Sequence, residues 1–381
     1  MKYKLSDICE YAKGKIRVSA LDENTYISTE NMLPNKGGIT KAASLPTQEQ
    51  TQAFMKNDVL VSNIRPYFKK IWYATCDGGC SNDVLVFRAK DGVSSRFLHY
   101  VLADDTFFDY SMATSKGTKM PRGDKKAIME YEVPELSYED QCKIASILEA
   151  IDEKICLNTA INKNLLQQAL CLYTSLIDGK SKNGCIGDYC TLKSGFAFKS
   201  KWWQDCGVPV VKIGSINQDY LNLSDCSYVS EDKIALAKDF IVSGGDLLIA
   251  MTGATIGKFT MVPKTSETIL VNQRVGKFFL GDNPIDRIPF IYSTLKQPEI
   301  ISEVINRGQG SAQPNISAAD ILSIPCVIPQ STEINDYNQQ ASPMFELSIN
   351  NQFENLVLAQ TRDTLLPQLM SGELDISVID L

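Results

Sequence analysis

Between Ser137 and Asp178 the chain contains neither glycine nor proline, and apolar residues return at helical spacing: Ile144, Leu148, Ile151, Ile155, Ile161, Leu165, Ala169, Leu172 and Leu176. That period predicts one amphipathic helix. Ser137 stands where an N-cap belongs, Glu139 and Asp140 follow it, and Gly179 stands at the C-cap. About 40 residues at ~1.5 Å each make a rod roughly 60 Å long, against about 11 residues for an ordinary helix. Its apolar stripe needs a partner. A second, less regular pattern over 332–370 supplies one: Ile334, Tyr337, Ala341, Met344, Leu347, Phe353, Leu356, Leu365 and Leu369. Ser342 before Pro343 reads as an N-cap with proline at the first helical position, so a restart is expected there. Pro367 is expected to loosen the last turn.

Outside these helices the pattern is shorter. Strands are expected at 58–63, 71–74 and 84–88, and one helix at 96–112. Several short strings recur in order: LSDIC and IGDYC, NDVLVSNIRP and GDLLIAMTGA, GTKMP and GSAQP, LIDG and LMSG. The offsets run from about 181 to about 193 residues, too long for a solenoid but right for a duplicated domain-plus-helix unit. The expected fold is therefore α+β: two globular α/β-mixed domains separated by two long helices, which pair as an antiparallel coiled coil within an internal repeat. Expected boundaries are 1–137 and 180–330 for the globular blocks, 138–179 and 331–372 for the helices, and 373–381 for a tail.

Composition adds limits. Hydrophobic residues at 44% and charged residues at 22% suit a globular protein. The amino terminus has no apolar signal stretch, and no apolar run approaches ~18 residues, so a cytoplasmic protein without membrane contact is expected. Eleven scattered cysteines and one histidine, His99, disfavour zinc and read as free thiols. Taken alone, the net charge of −7 opposes nucleic acid. Beyond residue 330, however, eight carboxylates face a single arginine, Arg362, which equals the whole imbalance. The globular blocks are neutral to slightly basic, which leaves room for local basic faces.

At this point the chain resembles the specificity subunits of type I restriction-modification systems. The resemblance rests on the globular–helix–globular–helix order, PELSYEDQCKIASILEAIDEKI at 134–155, GSAQPNIS at 310–317 and RDTLLPQLMSGELD at 362–375. The first block departs from it, with GTKMPRGD at the place of a Gly-Ser-x-x-Pro form. The resemblance implies a non-catalytic subunit of a bacterial defence complex. Each globular block would be a target recognition domain reading half of a split duplex DNA sequence. The helices would set the spacing and dock two methyltransferase subunits, and restriction subunits would join them. No cofactor would be bound by this chain; S-adenosylmethionine would belong to the methyltransferases, ATP and magnesium to the restriction subunits. Alternatives are the targeting subunit of a combined methyltransferase-nuclease, a coiled-coil scaffold that reads no bases, and an enzyme with a divergent site.

Base reading asks for Arg or Lys on guanine and Asn or Gln on adenine; phosphate contacts ask for cations and hydroxyls. Candidates in the first block are Asn63, Arg65, Tyr67, Lys69 and Lys70, then Lys116, Thr118, Lys119 and Arg122, with Lys125 and Lys126 beside them. In the second they are Lys199, Lys201 and Trp202, Lys258, Gln273 and Arg274 in an expected strand, and Gln309, Ser311, Gln313 and Asn315. The loop 310–317 reads equally well as a structural turn. Candidates for helix pairing or partner docking are Ile144, Leu148, Ile151, Ile155, Leu165, Leu172, Met344, Leu347, Phe353, Leu356 and Leu365. GATIGK at 253–258 is one residue short of a phosphate-binding loop and lacks the Ser or Thr after its lysine. His99, within FLHYVL, reads as a core histidine, and Asp152 and Glu153 as a solvated helix face.

Overall fold

The computed structural model describes residues 2–117, 119–217, 220–309, 314–371 and 373–374. Thr118, Ser311, Gln313, Gly372 and the tail from 375 onward lie outside them. The chain divides into two compact units, one of residues 1–153 with 358–381 and the other of residues 154–357. Each holds one globular block and one end of both long helices.

In the first unit an antiparallel sheet runs in the order Cys9–Tyr11, Val84–Ala89, Val59–Ser62, Ile71–Tyr73. VLVS at 59–62 is buried throughout. Val59 and Val61 face one core with Leu85 and Phe87, while Leu60 faces another with Val84 and Val86. A strand covered on both faces reads as an unbroken apolar run. A second sheet, Lys15–Arg17, Gln50–Phe54, Gly78–Cys80, Tyr26–Ile27, closes the far side. The helix expected at 96–112 is two, Ser95–Ala103 and Asp105–Ala113. Asp104 between them is extended (φ −63°, ψ 140°), and its carboxylate accepts from the Thr106 backbone N–H. A side chain able to cap the next helix competes with continuation of the first.

The second unit repeats the first sheet as Thr191–Ser194, Val275–Phe279, Leu247–Ala250, Phe259–Met261, again antiparallel. Its other sheet departs from the repeat. There Val208–Val211 and Ile269–Val271 pair in parallel at the centre, whereas in the first unit the parallel pair lies at an edge. The duplication is clearest in its polar details. Asp58 pairs with Arg88 at 2.7 Å, and Asp246 pairs with Lys277 at 2.9 Å; both carboxylates are buried. Asp7 accepts from the Lys4 backbone N–H at 2.8 Å, and Asp188 from that of Cys185 at 2.7 Å.

The first long helix spans Tyr138–Ile177. Ser137 Oγ accepts from the Asp140 N–H at 3.1 Å, and Gly179 takes φ +68° beyond the end. The second spans Ser331–Ser371 without the expected restart at Pro343. Ser342 does not cap; its Oγ lies 2.7 Å from Asn338 O, one turn back, and 2.9 Å from Ile285 O. Ala341 and Phe345, both fully buried, anchor that stretch, while Pro343 faces solvent. Burial on one face outweighs the hydrogen bond that the proline removes.

In the first unit, Ile144 and Leu148 share the block's core with Leu366 and Leu369, and Leu365 packs at its margin. Asp152 corrects the expectation of a solvated face. It accepts from Arg362 at 2.7 Å and from the Tyr100 hydroxyl at 2.9 Å, so the arginine of RDTLLPQLMSG joins the two helices. In the second unit Ala169 and Tyr173 pack with Tyr337, Ala341 and Phe345 as an apolar seam, but one stretch of the seam is polar. Asn158 donates to Glu354 at 2.7 Å and to Asn355 at 2.9 Å; Asn351 donates to Asn162 at 2.9 Å, and Asn162 to Ser348 O at 3.2 Å. Asn158, Asn162, Ser348 and Asn351 are all buried. Ile151, Ile155, Leu165, Met344 and Leu356 are half-buried, while Leu172, Leu347 and Phe353 are exposed.

Candidate nucleic-acid interface

Beyond Val59–Ser62 the chain turns through Asn63, Ile64 and Arg65 into a short 3-10 helix, Pro66–Phe68, then re-enters the sheet at Ile71. The late loop lies directly against this turn. Arg122 bridges both Ile64 and Lys116, and the Arg65 N–H donates to Pro121 O at 2.8 Å. The two basic clusters of the first block, separate in sequence, therefore form one surface.

Within it the cations differ in their freedom. Lys69 and Lys36 both reach Asp105 at 2.9 Å. Burial would raise the Asp105 carboxyl, but the two ammonium groups override it and hold the acid below its ordinary range. Lys70 donates to Thr29 O at 2.6 Å. Lys116 pairs with Asp124, whose carboxyl it brings to about 2 together with two backbone N–H donors. Arg122 pairs with Asp83 at 3.1 Å. Lys119, Lys125 and Lys126 are exposed and, among the described residues, have no ion pair. Tyr67 is 48% exposed. Asn63 is buried beneath Gly123, where an added Cβ would lie 2.9 Å from its Oδ1, an oxygen that is itself buried without a hydrogen-bond partner.

The second block builds the same corner. The Gly253 N–H donates to Pro314 O at 2.9 Å, and Thr252 bridges Asn315, as Arg65 and Ile64 do with Pro121 and Arg122. GATIGK is thus the duplicate of the 65–70 turn, which accounts for a glycine-rich loop without a phosphate site. Lys258 is exposed on it, and Asn315 is exposed on the late loop against it. Gln273 and Arg274 are exposed in a turn between Ile269–Val271 and Val275–Phe279, not in a strand; the glutamine N–H bonds Phe196 O at 2.9 Å. Lys199 and Lys201 are exposed, as is Gln309. Trp202 stacks on Phe196 at 6.4 Å, with Lys199 and Lys233 over its ring.

Among the described residues no group of His, Cys, Asp and Glu is placed to hold a metal ion, and no helix is long and apolar enough to cross a membrane. All eleven cysteines are free. His99 is half-buried, with its Nδ1 shielded and unpartnered, and desolvation pushes its imidazole down to about 4. Asn31 was missed by the sequence reading; its buried side chain ties Tyr26 O to Thr40 O in the loop behind the first turn.

Two blocks, each with a four-stranded antiparallel sheet and a loop corner carrying exposed cations, alternate along the chain with two long helices, as in a duplicated domain-plus-helix protein. Comparison with known proteins assigns it. The family model for the type I restriction modification DNA specificity domain matches residues 1–167 and 179–352, and the chain belongs to that family. It is similar to the specificity subunit of the type I restriction enzyme MjaIX of Methanocaldococcus jannaschii, 26% identical over 75% of this chain and 70% of the relative. It is also similar to that of the HindI enzyme of Haemophilus influenzae, 24% identical over 98% and 99%. A crystal structure of the S subunit of a type I restriction-modification system from M. genitalium shares the fold, with TM-score 0.56 and 16% identity over 97% and 96% of the two chains.

Proposed function

We propose that each globular block reads one half of a bipartite duplex DNA target through its loop corner, and that the two long helices hold the half-sites at a set separation. The observation that carries this reading is the corner built twice, with exposed cations in both copies: Lys119 in the first, Lys258 in the second. Two reading heads on stiff helices suit half-sites about one helical turn, roughly 34 Å, apart. A flexible linker would blur that distance. The exposed apolar residues of the long helices, Leu172, Leu347 and Phe353, supply surface for two methyltransferase subunits, which would bind S-adenosylmethionine and flip the target adenine. Restriction subunits using ATP and magnesium would complete a cytoplasmic complex. This chain would recognise DNA and catalyse nothing. Deleting its gene and mapping adenine methylation across the genome tests the reading: methylation should vanish at one split motif, and an unchanged map would count against it.

A further inference from the structure

The duplicated turn has one backbone and two chemistries. Arg65 and Lys69 sit in the left-handed region at φ +50° and +48°, and their counterparts are Gly253 and Gly257 at φ +71° and +83°. The flanking bonds match as well: Ser62 N–H to Lys70 O at 3.0 Å, Ala250 N–H to Lys258 O at 2.8 Å. The fold thus asks for glycine-like conformations at two places. The second block meets that demand with glycine, and the first holds long cationic side chains there against the steric preference of L-residues. Asn35 and Lys36, also left-handed, lie alongside, with the Asn35 N–H on Phe68 O at 2.8 Å and the Lys36 N–H on Lys69 O at 2.9 Å. Among the described residues, four of the five non-glycine residues with positive φ meet at this one corner.

Strain of that kind persists where the side chains are needed for something other than folding. Between the two strained residues, Tyr67 and Phe68 project as an exposed tilted pair, ring centroids 4.6 Å apart. The second block has Thr255 and Ile256 at those places, and the same turn forms without aromatic rings. Arg65 has a buried Nε with no partner and, among the described residues, no carboxylate. An aromatic pair flanked by cations has the chemistry of a wedge for a DNA base step: rings for the base faces, cations for the edge and phosphates.

We infer that the 65–70 turn is the specificity-determining element of the first block, with Tyr67 and Phe68 packing against bases of one half-site and Arg65 contacting a base edge beside them. The inference rests on the reading of the chain as a two-headed DNA recognition subunit. In the second block the glycine turn brings backbone rather than rings to the duplex, so the two half-sites are recognised by the same element in different ways.

The test uses the full chain assembled with its methyltransferase partners and a pool of random-sequence duplex DNA. Selection by the wild-type complex should return a split motif. The Y67T/F68I variant, which installs the side chains of the duplicate turn, should lose base preference in one half of the motif and keep the other. Its affinity for the wild-type motif should fall about 10- to 100-fold, the range of stacking lost from one or two bases. The R65G variant, which removes a left-handed side chain that holds no ion pair among the described residues, should lose preference in the same half while its thermal midpoint rises by about 2–4 °C. If both variants return the wild-type motif, the assignment of the turn is wrong. Loss of affinity together with a lowered thermal midpoint in both variants would make the turn a structural prop and also overturn it. A wild-type complex that selects no motif would instead overturn the DNA-reading function itself.

Discussion

His99 is the only histidine of the chain, which makes its titration separable from all others. Its folded value of about 4 lies below the ordinary 6.5, because burial disfavours the cation. A lowered value means that the unfolded chain binds the proton more readily. The stabilisation is therefore full above pH 6.5 and is lost progressively as pH falls towards 4, up to about 3 kcal/mol. Between pH 7 and 4 the unfolding free energy of wild type should fall relative to that of H99F by up to that amount; parallel pH profiles would show that the imidazole is not held neutral. Gly123 offers a second test. A Cβ there would lie 2.8 Å from Ile128 Cδ1 and from Ser111 Oγ. G123A should cost about 1–3 kcal/mol by overpacking the floor of the loop corner, read as a lower thermal midpoint.

At the level of elements, the long helices differ from the expected rods in what lies between them. An apolar seam was the natural expectation from period alone. In one stretch of the second unit buried asparagines put directional bonds beside the apolar contacts, and such bonds favour one register over its neighbours where leucines would tolerate several. N158A removes the donor to both Glu354 and Asn355. It should cost about 1 kcal/mol, the net worth of partly buried hydrogen bonds, since Glu354 keeps its ion pair with Lys154, measured as a shift in urea midpoint at constant slope. Pro343 gives the opposite lesson: a residue that reads as a boundary is carried through because Ala341 and Phe345 are buried beneath it. Asp104 breaks a helix that its apolar pattern would have continued, since a local capping bond was available.

On the scale of the whole molecule, the duplication has a functional consequence that can be tested without knowing any contact residue. Exchanging residues 1–137 for the corresponding block of a relative should change one half of the methylated motif and leave the other; a change in both halves would break the assignment of one block to one half-site. Binding should also depend steeply on salt. With Z phosphate contacts the logarithmic slope is about −0.9 Z, so titration of the assembled complex with potassium chloride should give a slope well below zero despite the net charge of −7. A flat response would leave Lys119, Lys258 and Arg274 without a role.

The order of blocks and helices, the caps at Ser137 and Gly179, and the repeat were legible in the sequence because they depend on local spacing and on strings that recur. So was the chemistry of the loops, as residue types. What tertiary structure alone decided was which of those residues are free to act. Asn63 became buried, Lys69 and Lys116 were drawn to carboxylates, and Asp152 was drawn to Arg362, since each partner lies far along the chain or across a fold. The same holds for the left-handed backbone at Arg65 and Lys69. Nothing in their side chains announces it; the bonds from the late loop and the loop around Asn35 impose it. Its meaning appears only beside the glycines that take the same conformation in the duplicate.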